Sequence, residues 1–301
     1  AARSYGAQDE DLLKKTVAGS LIIGLAASVL ITLAGLVGLH PLLVLLDTPA
    51  EILEEAYSYI ILIDVGVLVM FAYNLCAGLL RAIGNSFMPL VFLLISSGLN
   101  VALDLVFIAV VGMGVKGAAV ATVISQGVSV VLCIFYVLRK TRVLVPERKH
   151  FQVGRKLYWD LFSQSISMGL MSSIVSAGSV VLQYGINGLG TLVIAGHTAA
   201  RKMFAFTDMP LIAMANAGST FVSQNYGANH PDRVRKGMRE IYLYSVVVAV
   251  LAVLLMNVGA EWMIKLISGS GEAVVLENGA KYLIWNAPFY AVLGVLLSTR
   301  Y

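Results

Sequence analysis

The sequence predicts an all-α, polytopic membrane protein: a bundle of apolar helices joined by short polar breaks. Three observations carry this expectation. Of 301 residues, 58% are hydrophobic and 13% charged, whereas soluble domains average about 45–50% and about 25%. The apolar residues gather into eight runs, each near the roughly 20 residues that a spanning helix needs. None of the runs alternates with the period of a strand. Backbone polar groups cannot stay unpaired in lipid, so such runs form helices. The composition excludes a soluble globular enzyme, a disordered chain and a disulfide scaffold.

The runs cover residues 17–39, 57–80, 88–111, 115–138, 161–185, 192–222, 241–258 and 282–299. Turn-forming residues separate them: Asp47-Thr48-Pro49, Gly84-Asn85, Asn187-Gly188 and Ser268-Gly269-Ser270-Gly271. Between the third and fourth runs, Gly112-Met113-Gly114-Val115-Lys116-Gly117 spells a dinucleotide-binding fingerprint. No acid follows it until Glu147 and its flanks are of membrane length, so it is expected to be a turn. The longest break, 139–159, holds Pro146 and a run of basic residues, and is expected to be a solvated linker. Pro210 and Pro288 fall inside the sixth and eighth runs, where each interrupts the helical ladder.

Orientation follows from lysine and arginine placement. Alternate breaks, beginning with the first, hold Arg3, Lys14 and Lys15; Arg81; the basic residues of 139–156; and Arg233, Arg235, Lys236 and Arg239. The opposite breaks hold only Lys116, Lys265 and Lys281, beside acids such as Asp47, Glu51, Glu54 and Glu55. The first set is therefore expected in the cytoplasm, with the protein multi-pass in the inner (plasma) membrane. The net charge of +4 belongs to those loops, and no nucleic-acid partner is expected.

The chain contains a repeat. Tyr5-Gly6-Ala7-Gln8-Asp9-Glu10-Asp11 recurs as Tyr226-Gly227-Ala228-Asn229-His230-Pro231-Asp232, and the same spacing aligns Glu51 with Glu272. Parallel repeats of this length are a hallmark of secondary transporters, whose substrate path lies between the halves. One copy spans six helices. The expected domains are a partial first bundle at 1–138, the linker at 139–159 and a partial second bundle at 160–301.

With these features in place, the sequence resembles the multidrug and toxic compound extrusion (MATE) family of cation-coupled exporters. The segments that carry the resemblance are 79–85 (Leu79-Leu80-Arg81-Ala82-Ile83-Gly84-Asn85), 100–104, 114–122, 195–200 (Ala195-Gly196-His197-Thr198-Ala199-Ala200), Met209-Pro210 and 223–228. The resemblance implies twelve helices in two six-helix halves, eight of them present here as helices three to ten. It follows as an expectation that the chain is truncated at both ends. The resemblance also implies a small cationic or amphiphilic substrate, no cofactor, H+ or Na+ as coupling ion, contact with membrane lipid, and a monomer.

Asp104 is the sharpest chemical signal. It lies well inside the run 88–111 with Asn100 one helical turn earlier on the same face. A carboxylate at depth costs several kcal/mol unless it is protonated, paired or facing water. The plain alternative is an Asp hydrogen-bonded to a neighbouring helix. The resemblance implies that Asp104, Asn100 and Thr122 form the cation-coupling site, with a possible Na+ at Asp104. A second branch of the family that the sequence resembles carries an acid in the seventh helix; the corresponding run, Ser163 to Gly185, has none, which directs coupling to the first bundle. Gln183, Tyr184, Arg201, Phe204, Asp208 and Tyr290 are candidates for the substrate cavity. Mutual pairing of Arg201, Lys202 and Asp208 is an equal expectation. Asp64 is expected to be interfacial and reached by water.

The four histidines are dispersed and Cys76 and Cys133 lie in apolar runs, so no metal or redox motif is expected. Nor does a Walker lysine motif or serine elbow appear. The function expected is a secondary antiporter exporting drugs or other amphiphiles. Alternatives are a lipid-linked saccharide flippase, which wants a strongly basic cavity, and an intramembrane enzyme using Asp104 as acid or base.

Overall fold

The computed structural model describes residues 1–45 and 50–300; the Asp47-Thr48-Pro49 break lies outside them. The helices are α1 (Ala2–Gly6), α2 (Glu10–Leu45), α3 (Ala50–Val65), α4 (Val67–Ala82), α5 (Phe87–Asp104), α6 (Val115–Lys140), α7 (Arg155–Asn187), α8 (Thr191–Gly227), α9 (Pro231–Ser268), α10 (Ala273–Asn286) and α11 (Phe289–Arg300). A π-helix at Leu105–Val110 continues α5. No strand occurs among the described residues.

Each apolar run lies within one helix or one interrupted pair. α2, α5 with its π-helical extension, α6, α7 and α9 are long and apolar enough to cross a membrane; α3 and α4, bent by 43° at Gly66, make a sixth crossing if taken as one span. α8 has the length but carries Arg201, Lys202 and Asp208 in its apolar stretch. The eighth run is split at Ala287-Pro288 into α10 and α11. Pro288 thus breaks its ladder, whereas α8 continues through Pro210. The protein is an all-helical, multi-pass membrane protein. Large apolar side chains on its surface, such as Val37, Val110 and Val258, suit a lipid-facing exterior.

Local chemistry sets the helix ends. Asp9 caps α2 by accepting from the Leu12 amide at 2.9 Å, and Glu10–Lys14 and Asp11–Lys15 pairs, both 2.6 Å, staple the first turns. Pro231 sits at the first position of α9, and Gly269, at φ 65°, ends that helix in the left-handed conformation. Gly114, at φ 58° and ψ −139°, starts α6 with a backbone open only to glycine; the fingerprint-like segment is a turn. The repeated motif recurs as geometry too. Ala7, Gln8 and Asp9 donate to Arg3, Tyr5 and Ser4, and Ala228, Asn229 and His230 donate to Gln224, Tyr226 and Asn225. Gln8 and Asn229 are the two non-glycine residues of positive φ among the described residues.

The chain folds as two compact units, 1–164 and 165–301. In the first, α6 packs against α3, α4 and α5, and α2 against α3 and α4. Its core gathers Leu13, Val17, Tyr73, Leu80, Phe92 and Cys133. The segment after α6 is folded onto this core. Leu144 joins it, and buried His150 accepts from the Glu147 amide through Nδ1 at 2.9 Å while its Nε2 stands 3.4 Å from Asp11. In the second unit α9 packs against α8, α10 and α11 around Met256, Ile264, Leu283 and Tyr290. α8 and α10 cross with their backbones in contact: a Cβ on Gly196 would lie 2.5 Å from the Val275 carbonyl oxygen, and one on Gly279 2.9 Å from that of Gly196.

Candidate functional site

In the first unit, α5 and α6 are joined by a polar seam. Residues 92, 96, 100 and 104 recur every fourth position and lie on one face of α5. Ser129 donates to the Phe92 carbonyl at 3.0 Å, and Ser96 donates to the Ser125 carbonyl at 2.9 Å. Next along the seam the Asn100 amide reaches Thr122 Oγ1 at 3.5 Å, and that hydroxyl donates to the Ala118 carbonyl at 2.9 Å. Asn100 and Thr122 are therefore brought together. Asp104 follows one turn on, and its Oδ1 is buried with no hydrogen-bond partner.

Helix type changes at this carboxylate. α5 ends at Asp104 and the chain continues as the π-helix, with Val111 donating to the Val106 carbonyl at 2.9 Å. π-Turns widen a helix locally and are common at functional sites. Phe107 of the π-helix presses on α6 at Gly117, where an added Cβ would lie 3.0 Å from the Phe107 Cβ.

Asp64 is half-buried. Its Oδ2 is buried without a hydrogen-bond partner, and its carboxylate occupies the space where a side chain at Gly35 would be. Thr32 donates to the Asp64 carbonyl at 3.1 Å. Asp64 therefore packs against α2, just before the bend at Gly66. That bend lies beside α6 at Val123, since a Cβ on Gly66 would fall 2.6 Å from Val123 Cγ2. The bend and the Asn100–Thr122 contact share one level of α6.

The second unit holds another polar group. Tyr290 is fully buried, its hydroxyl 2.7 Å from Thr207 Oγ1 and donating to the Phe204 carbonyl at 3.1 Å. Its ring stacks edge-on with Phe204, centroids 4.9 Å apart. Asp208 also engages the Tyr290 hydroxyl, and its Oδ1 is buried with no hydrogen-bond partner. Phe204, Asp208 and Tyr290 thus meet. The expected mutual pairing does not form: among the described residues no ion pair joins Asp208 to Arg201 or Lys202. Buried His197 packs edge-on against Tyr282 at 4.8 Å, with an unpartnered Nε2. Gln183 and Tyr184 lie apart on α7; Gln183 donates to Asn187 at 2.8 Å, and Tyr184 is 83% exposed. The described residues contain no group of three or more His, Cys, Asp or Glu able to hold a metal.

The family model for MatE matches residues 1–106 and 168–300. The chain belongs to the MatE family. It is 31% identical to the probable multidrug resistance protein YpnP of Bacillus subtilis over 84% of its own length and 56% of that protein's. It is 23% identical to the multidrug export protein MepA of Staphylococcus saprophyticus over 99% of its own length and 67% of that relative's. This MatE chain therefore spans from about half to two thirds of the length of the curated relatives it matches. Among solved structures, MATE in the straight conformation superimposes with a TM-score of 0.88 at 23% identity, covering 99% of this chain and 66% of the other. The outward-facing conformation of a multidrug resistance MATE family transporter of the MOP superfamily gives 0.84 at 22% identity, covering 99% and 69%. Both likenesses are of fold. Members of the family are transporters and not enzymes.

Proposed function

We propose that the protein containing this chain is a secondary antiporter that exports organic cations, drugs or other amphiphiles in exchange for H+ or Na+. Asp104 is the coupling carboxylate, with Asn100 and Thr122 beside it. The observation that carries this reading is the buried, unpartnered Oδ1 of Asp104 at the end of a seam whose other polar groups are hydrogen-bonded. A carboxylate left so in an apolar surround is satisfied by a proton or a cation. Cation binding there favours one conformation and substrate the other, which is the differential affinity that exchange requires.

The architecture fits as eight spans of a two-fold array of six-helix halves: a partial first bundle at 1–138, a cytoplasmic linker at 139–159 and a partial second bundle at 160–301. The protein would act as a monomer in the plasma membrane. Gln183, Tyr184, Arg201, Phe204, Asp208 and Tyr290 are the cavity candidates. Removing the Asp104 carboxylate is expected to abolish gradient-driven efflux and to leave the protein folded in the membrane. The test is dye efflux from proteoliposomes of the full-length protein under separate H+ and Na+ gradients. Wild-type efflux in Asp104→Asn would sink the reading.

A further inference from the structure

One carboxylate oxygen in the polar group of the second unit has no hydrogen to accept. Thr207 Oγ1 lies 3.0 Å from the Met203 carbonyl oxygen and 2.9 Å from that of Phe204, besides its 2.7 Å contact with Tyr290. Tyr290 also points at the Phe204 carbonyl and meets Asp208. Both carbonyls also lie in the amide ladder of α8, so the hydroxyl hydrogens of Thr207 and Tyr290 are shared among helical carbonyls, each other and the Asp208 carboxylate. Pro210 has no N–H, so it offers nothing to the Phe206 carbonyl one turn back. The buried Oδ1 of Asp208 is left with no donor, and no cation pairs with the carboxylate among the described residues.

Among the described residues no side chain supplies either. On the same face of α8, residues 197, 201, 204 and 208 recur at helical spacing, yet Arg201 forms no ion pair with Asp208 among the described residues. Lys202 lies off that face and is exposed. From α10 comes Tyr282, against His197; Glu277 and Lys281 there are exposed and pair with each other at 2.6 Å. From α11 comes Tyr290. α9 has no Asp, Glu, Lys, Arg or His between Glu240 and Glu261. The 2.7 Å between the two hydroxyl oxygens suits a shared hydrogen and leaves no place between them for an alkali ion.

We propose that Asp208 is a proton-binding site of the second unit, beside the Tyr290 hydroxyl and separate from the Asp104 site. A proton taken from water onto Oδ1 neutralises the buried carboxylate and gives the group its missing donor. Its release leaves a negative charge on the face that carries Arg201, where an organic cation can compete for it. Asp208 lies two residues before Pro210 in α8, and Tyr290 lies just after the break that begins α11. This deepens the antiport reading and rests on it for its role, although proton binding itself is measurable in resting protein.

The test is infrared difference spectroscopy between acid and alkaline pH on the full-length protein in lipid. We expect a titrating carboxylic-acid band that Asp208→Asn deletes and Asp104→Asn retains. Tyr290→Phe keeps the buried ring and is expected to shift that band and its midpoint. If Asp208→Asn fails to insert, Asp208→Glu is expected to move the band. Ethidium added to weakly buffered protein should release about half as many protons from Asp208→Asn as from wild type, one of two carboxyl sites being lost. A titrating spectrum insensitive to every Asp208 and Tyr290 variant overturns the proposal. So does a Na+-induced change at constant pH that Asp208→Asn abolishes. Undiminished efflux in Asp104→Asn with the Asp208 band intact defeats the Asp104 reading alone.

Discussion

Asp64 shows how much of a membrane carboxylate's meaning lies in what stands opposite it. Its place near one end of an apolar run suggested water, but that run does not say which neighbour covers it. The neighbour is Gly35, and only the absence of a side chain there admits the carboxylate. Gly35→Ala is therefore expected to destabilise the fold by about 1–3 kcal/mol, as overpacking does. Asp64→Ala in the same chain should recover most of the loss, measured as a double-mutant cycle of unfolding in detergent. Independent, additive effects would show that the two do not meet. The α5 seam was legible in part. Asn100 and Asp104 stood out by polarity and depth, while Ser96 shares their four-residue spacing but, as a serine in an apolar run, carries no mark of its own. Ser125 and Ser129 carry no such mark in the sequence, because their role depends on which face of α6 meets α5.

At the scale of elements, the repeat was visible in four shared residues and proved to be a repeat of hydrogen bonding. Gln8 and Asn229 hold the left-handed position of the two turns, at φ 55° and 58°. Asn tolerates that conformation and Gln does so less readily. Gln8→Gly is expected to raise stability by about 0.5–1 kcal/mol, and Asn229→Gly by less. Thermal unfolding of the two variants side by side checks this, and equal shifts would count against it. The proline positions were also plain in the sequence, but their effects diverge. Pro288 follows the end of α10, while Pro210 is carried through α8. Local chemistry marks where a ladder is weakened; packing decides whether it breaks. The linker shows the same limit. Its charge announced a solvated loop, yet Leu144 and His150 fold onto α2, contacts that no periodicity announces.

For the whole molecule, composition was enough to give helix and membrane, since lipid leaves few other choices. The asymmetry of basic residues makes a direct prediction about sidedness. In a Cys76→Ala, Cys133→Ala background, a cysteine at Lys149 should react with an impermeant maleimide only from the cytoplasmic face. One at Ser270 should react only from the opposite face. Labelling of both from one side would overturn the orientation. Site chemistry in the second unit was less legible: the charges of α8 suggested salt bridges, and the structure instead gathers the Thr207 hydroxyl and the Asp208 carboxylate around Tyr290. The crossing of α8 and α10 at Gly196 and Gly279 has a mechanical consequence. With no side chain between them, those two helices have no layer on which to slide and behave as a single strut. α11, which follows the break at Pro288, is tied to that strut through the buried hydroxyl of Tyr290, so a movement of α8 is carried to α11 as well.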